Sequence, residues 1–202
     1  MPEPELATPA ASLQAGASQA VGRLSIRHAT MADLDAIADA EARSFPAAEA
    51  CSRASFAARI TAYPNHFWLL EVTPEPDGAS SGDARPETET PAPVLASFVN
   101  GLVTEQPDLL DEMYDDASFH DPLGSWQMIF GVVTVPELRR RGYAAHLLEQ
   151  VIADARAQGR AGLVLTCKDA LIPYYARFGF VGEGLSTSTH GDVAWHQMRL
   201  TL

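Results

Sequence analysis

Residues 132–148, VVTVPELRRRGYAAHLL, change character twice within a short span. The apolar run ends at Val135, and Pro136 cannot donate to a sheet ladder, so a buried strand over about 127–135 stops there. Beyond Gly142, the residues Tyr143, Leu147, Leu148, Val151, Ile152 and Ala155 recur on one helical face, which predicts a helix over 142–157. Backbone N–H groups in the intervening loop and in the first helical turn have no acceptors within the helix, and the helix dipole adds positive potential there. Gly142 lets the chain approach a ligand closely, and Ala144 and Ala145 leave room for one. Arg140 and Arg141 add charge and paired donors. Such an array suits a pyrophosphate. The stretch also reads as a plain strand-loop-helix with a solvated basic rim. Its place between a buried strand and an amphipathic helix favours the anion site.

Outward from this loop, 24–28 reads as a first strand, and Thr30 with Asp33 opens a helix through about Arg43. Ser52 caps a second helix in which Phe56 and Ile60 are four apart. Strands are expected at 67–72, 94–103, 162–167, 179–185 and 192–200, with a short helix over 170–178 and a turn at His190-Gly191. This order predicts a mixed α/β sheet with helices on both faces.

The chain has 202 residues, 47% of them hydrophobic and 20% charged, as expected of a globular protein with a sizeable core. Residues 1–22 and 74–93 are rich in Ala, Pro, Ser, Thr and acid without apolar periodicity. They are read as a disordered tail and a flexible insertion in a single domain spanning 23–202. The net charge of −12 disfavours a nucleic-acid surface. Residues 105–121 hold seven acids and neither Lys nor Arg. Two cysteines make no disulfide framework, no metal-ligand spacing appears, and neither a signal peptide nor a membrane span is read, so a cytoplasmic protein is expected.

Two stretches in order, Arg139-x-x-Gly142-x-Ala144 and CKDALIPYYARFGF at 167–180, resemble the GNAT family of N-acetyltransferases. The second is similar in particular to the arylalkylamine N-acetyltransferase branch. The resemblance implies the GNAT-like acyl-CoA N-acyltransferase fold, in which two parallel central strands, here 127–135 and 162–167, splay apart around acetyl-CoA. It implies cofactor contacts from Val132, Val133, Thr134 and Val135 and from Arg140, Arg141, Gly142, Tyr143, Ala144 and Ala145, and an oxyanion-stabilising N–H near Val133. It implies that Tyr175, rather than its neighbour Tyr174, is the general acid. Expected acceptor-side residues are Phe45, His120, Trp126 and Thr166, with Tyr114 and Phe119 as further walls.

The arylalkylamine enzymes carry two histidines on the strand before the phosphate loop, and here those positions are Met128 and Phe130, which relay no proton. The base is left open: another residue, a water chain or bulk solvent. His120 beside Asp121, and Glu41, are candidates, although a solvated loop and a solvated helix face are the favoured readings. His28 and His66 are placed on the surface, and Cys167 in the core. Acids at 108, 111, 112, 115 and 116 either attract a cationic amine or merely solvate a loop. The function implied is direct acetyl transfer to a small cationic amine, of aralkylamine or polyamine type. A peptide acceptor and an idle CoA-binding sensor are the alternatives. No nucleic-acid or membrane partner is expected, and a homodimer, common in that family, stays possible.

Overall fold

The computed structural model describes residues 22–74, 91–188, 191 and 193–202. The N-terminal tail, most of the insertion, and His190 and Asp192 in the last turn lie outside them.

Among the described residues nine strands form two sheets. The first is antiparallel throughout, in the order β1 (Arg23–His28), β2 (Phe67–Thr73), β3 (Val94–Asn100), β6 (Gly131–Thr134). The second runs β4 (Val103–Thr104), β5 (Trp126–Ile129), β7 (Gly162–Cys167), β9 (His196–Thr201), β8 (Val181–Leu185), with β5 and β7 parallel. Two stretches expected as single strands, 94–103 and 127–135, are therefore each broken in two.

The breaks lie opposite each other. Gly101 ends β3 beside the backbone of Met128, whose carbonyl oxygen would lie 1.7 Å from a Cβ at position 101, so only glycine allows this approach. Across the gap, the N–H of Phe130 still donates to Asn100 O at 2.8 Å and that of Met128 to Leu102 O at 2.8 Å. The chain that runs through β5 and β6 thus keeps its antiparallel neighbour. Its parallel neighbour is lost: pairing with β7 ends at Ile129 opposite Leu165, and β6 bonds β3 alone. A wedge opens between β6 and the end of β7.

Helices hold this geometry. Strand β2 sends Trp68, Leu70 and Val72 to one face and Phe67 and Leu69 to the other, and both sets are buried. That explains the apolar run Phe67–Leu70 at its start. On the first face lies α4 (Tyr143–Ala157), whose predicted stripe is buried along its whole length. On the second lie α1 (Leu34–Ser44), entered through a 3-10 turn at 31–33, and α2 (Arg53–Ala62). Ser52 caps α2 as expected, its Oγ accepting the N–H of Ser55 at 3.0 Å. A third cluster packs Leu109 and Met113 against Met128 and Val164. These anchors tie the acidic segment, with its single turn α3 (Glu112–Asp115), onto the second sheet.

His66 is buried rather than on the surface, with Nδ1 2.7 Å from Gln127 Oε1. The carboxamide oxygen can only accept, so Nδ1 carries the proton. Burial lowers its pKa to about 4.

Candidate active site

Three clefts join end to end along the wedge. The outermost, about 270 Å³, lies at the N-terminus of α4 between Thr134, Arg139, Arg140, Gly142 and Arg177. Arg140 (φ 64°) and Gly142 (φ 85°) both adopt the left-handed conformation. For arginine this backbone is uncommon and strained. Successive turns of this kind direct N–H groups into a concave anion site. The N–H groups of Tyr143, Ala144 and Ala145 precede the first intrahelical bond, which His146 makes to Gly142 O at 3.0 Å.

Next comes a cleft of about 400 Å³ floored by Val132, Val133 and Thr134 and walled by Ala144, Tyr174 and Tyr175. The N–H of Val135 donates to Ala96 O, so by the alternation of an antiparallel ladder Val133 also faces β3. The backbone groups of Val132 and Thr134 point the other way, into the wedge. Of the N–H groups near Val133, where an oxyanion donor is expected, that of Val132 points into the wedge, whereas that of Val133 belongs to the ladder. Arg139 Nε already donates to Thr134 O at 3.2 Å. The hydroxyl of Tyr174 is buried without a hydrogen-bond partner.

Tyr175, on the short helix α5 (Ile172–Ala176), lines both this cleft and the throat of the wedge. Burial, reinforced by Cys167 and by the neighbouring tyrosines, pushes its phenol well above the ordinary tyrosine range. It is thus held as a proton donor. Cys167 is a buried wall of the throat, its thiol pushed up to about 11 by burial and then by Asp169, which suits the core role expected of it.

The innermost cavity, about 240 Å³, opens from the throat past Phe45, Phe130, Gly131 and Trp195. Thr166 stands at the junction, 3.2 Å from the hydroxyl of Tyr114. Its charged lining is Glu41, Glu49, Arg59 and Asp115. Glu41 is not on a solvated helix face: it is buried, and Oε1 accepts the N–H of Cys51 at 3.0 Å. Glu49 pairs with Lys168 at 2.8 Å.

Most of the residues expected from sequence converge here. Val132, Val133, Thr134, Arg140, Gly142, Tyr143, Ala144 and Ala145 line the two outer clefts, and Phe45, Tyr114 and Thr166 line the innermost cavity. Val135 packs with the α1–α2 core and Arg141 is exposed, both off the cleft walls. His120 stacks on Tyr63 and His66, and its Nδ1 accepts the N–H of Val103 at 3.2 Å. Trp126 lies under Arg199, at the end of β5 remote from the wedge. Neither borders the acceptor cavity, and nor does Phe119. Sequence reasoning missed Arg59, Asn100, Glu49 and Trp195. Each comes from a different element, and no local spacing marks them.

A sheet parted between parallel neighbours, with a left-handed loop and a helix N-terminus at one end of the wedge and a side-chain-lined cavity at the other, is the arrangement of the GNAT-like fold. Residues 112–180 match the family model described as the acetyltransferase (GNAT) family. Among solved structures it is similar to the GNAT-like decarboxylase GphF in complex with isobutyryl-CoA (21% identity, 88% of this chain and 98% of that one, TM-score 0.63). It is similar too to the loading GNATL domain of CurA from Lyngbya majuscula (14%, 89% and 98%, TM-score 0.68). A third is the ribosomal-protein-S18-alanine N-acetyltransferase from Escherichia coli (20%, 89% and 94%, TM-score 0.57). At these identities the likeness establishes the fold. Among the described residues no helix is long and apolar enough to cross a membrane.

Proposed function

We propose that this protein transfers an acetyl group from acetyl-CoA to the primary amine of a small acceptor that carries an ammonium group and an apolar side, the features of an aralkylamine. The observation that carries this reading is continuity: the cradle, wedge and acceptor cavity share walls, and Tyr175 lines the throat between the last two. The residues fit the cofactor. Unbonded N–H groups at Tyr143 to Ala145 and the left-handed backbone at 140 and 142 suit a diphosphate, and the orphaned hydroxyl of Tyr174 and the backbone of Val132 suit an amide-bearing arm.

When bound, acetyl-CoA supplies a thioester activated toward nitrogen. The chain's own residues bind and aim it. Alignment of two reactants in one enclosed track is worth roughly 7–11 kcal/mol in favourable cases. The ammonium first loses a proton to solvent water; the free amine nitrogen then bonds to the acyl carbon, the carbon–sulfur bond breaks, the nitrogen passes its second proton to water, and Tyr175 donates one to the departing sulfur and is reprotonated from solvent. Met128 lies in the third core and Phe130 under Arg59, so neither accepts the amine proton. Glu41 and Asp115 are the cavity carboxylates suited to hold the ammonium. Aromatic walls from Phe45, Phe130, Tyr114 and Trp195 suit an apolar acceptor, and a buried arginine among them argues against a polyamine. The volume, below the roughly 300–1,000 Å³ of drug-sized pockets, favours a small acceptor over a peptide.

The test is a panel of primary amines incubated with acetyl-CoA, with free thiol and acetylated product both measured. Product from at least one small amine is the expected result, and thiol release without product would reject the reading. Because one neighbour is named a decarboxylase, malonyl-CoA without amine serves as a second arm. Loss of carbon dioxide there would redirect the assignment.

A further inference from the structure

Arg59 is 4% exposed, although it carries a permanent charge. It projects from α2 into the acceptor cavity and lies over the ring of Phe130, with its guanidinium carbon 4.7 Å from the centroid. Nη1 donates to Asn100 Oδ1 at 2.8 Å and Nη2 to Tyr114 O at 2.7 Å. Both acceptors are neutral. Nε is buried with no hydrogen-bond partner, and among the described residues no carboxylate forms an ion pair with this guanidinium. Four arginines nearer the surface, Arg27, Arg43, Arg53 and Arg199, each hold at least one carboxylate, and Arg160, which like Arg59 bonds only neutral oxygens, is less buried.

Burying a cation away from water costs several kcal/mol unless an anion meets it. A guanidinium retains a planar set of donors suited to the two oxygens of a carboxylate. Two neutral carbonyl acceptors position the group without neutralising it, and Asn100 and Tyr114 thereby hold the fork against the cavity wall. The same cavity carries carboxylates at Glu41 and Asp115. Cation and anions on one small enclosure match a molecule that bears both an ammonium and a carboxylate.

We infer that the acceptor is an amino acid, its carboxylate taken by Arg59 while its amine is presented to the wedge. This deepens the proposed acetyl transfer and rests on that reading for the fate of the amine. Arg59 is then a specificity determinant that touches substrate.

Matched pairs that differ only by the carboxylate test this: phenylalanine against phenethylamine, and leucine against 3-methylbutylamine. For the native chain, kcat/KM is expected to be at least tenfold higher for the carboxylated member of a pair. In Arg59→Met, KM for the amino acid should rise at least tenfold with KM for the plain amine unmoved, and Arg59→Lys should recover part of the loss. A native chain that prefers the plain amines overturns the inference, as does an Arg59→Met change that depresses both members equally. Should Arg59→Met fail to fold, as judged by its thermal transition, the native preference alone decides. If no amine is acetylated, calorimetric binding of the same pairs separates the two claims. Binding of phenylalanine but not phenethylamine upholds the carboxylate site while the transfer reading falls, and binding of neither removes both.

Discussion

The two halves of the track are built in opposite ways. The cofactor half is made of consecutive backbone: a strand end, a loop with two left-handed residues, and the first turn of a helix, all within residues 132–145. The acceptor half is made of side chains from α1, α2, β3, α3, β7 and the approach to β9, brought together only by the fold. A backbone site needs particular local conformations, and glycine, proline and small residues at fixed spacing encode those. A side-chain site needs only that distant residues meet. Arg59 and Asn100, bonded at 2.8 Å, are 41 positions apart. The contrast has a mechanical corollary: changes in the first half should act on cofactor affinity whatever the acceptor, and changes in the second should act on the acceptor alone.

Tyr175 stands where the halves meet, and its removal tests whether they form one path. Tyr175→Phe should lower kcat by about 10²-fold or more, the usual scale for a lost general acid. Affinity for CoA, by calorimetry, should stay within about twofold, since the ring and its packing on Phe180 are kept. Unchanged turnover would detach the throat from the chemistry.

The next effect lies in the packing behind the acceptor half. Buried neutral His66 resists protonation down to about pH 4, whereas the unfolded chain takes up a proton near 6.5. The unfolded state thus binds more protons between these values, and stability falls as pH drops through them. The loss is on the order of 2–3 kcal/mol at pH 4 and absent above about pH 7. Urea titrations at several pH values should show this slope, and His66→Gln should flatten it. An equal slope in the variant would mean that another group carries it.

Legibility follows the same division. Every expected helix is present, and the strand-loop-helix of 132–148 and the strand 162–167 stand where periodicity put them. The break at Phe130 is not legible, because apolar character runs through it; the break at Gly101 carries an Asn-Gly pair, a signal that reading 94–103 as one strand passes over, and the approach of two backbones shows why glycine is needed there. Chemistry and proximity in sequence point to His120 and Trp126, but packing elsewhere takes both: one lies against the rings of Tyr63 and His66, the other beneath Arg199. Glu41 was read as solvated because a helix face alone cannot say what packs over it.

A smaller effect tests the backbone half directly. Gly142 has φ 85°, and no atom lies within 4 Å of where its Cβ would be, so a side chain there meets the ligand's space rather than protein. Gly142→Trp adds backbone strain and blocks approach to the N–H groups. The Kd for CoA should rise about tenfold, or roughly 1.4 kcal/mol. Amino-acid preference should not change. Native affinity in this variant would place the diphosphate elsewhere.

The smallest expected effect concerns the acids of 105–121, which sequence alone left balanced between steering a cationic amine and solvating a loop. Of residues 108, 111, 112, 115 and 116, only Asp115 borders the acceptor cavity. Asp108 is held by Arg199 at 2.8 Å, and Asp116 accepts the N–H of Ser118 at 2.8 Å. Leu109 and Met113 face inward and Glu112 is exposed, whereas Asp111 keeps one carboxylate oxygen buried away from the cavity. Exposed charges are screened beyond about 10 Å at 0.1 M salt. A steering field accelerates capture by roughly 10- to 10³-fold and collapses with ionic strength. Here kcat/KM for a cationic amine should change less than about threefold between low and high salt. A tenfold fall, absent for an uncharged amine, would show that the acidic segment belongs to the acceptor half in function as well as in sequence.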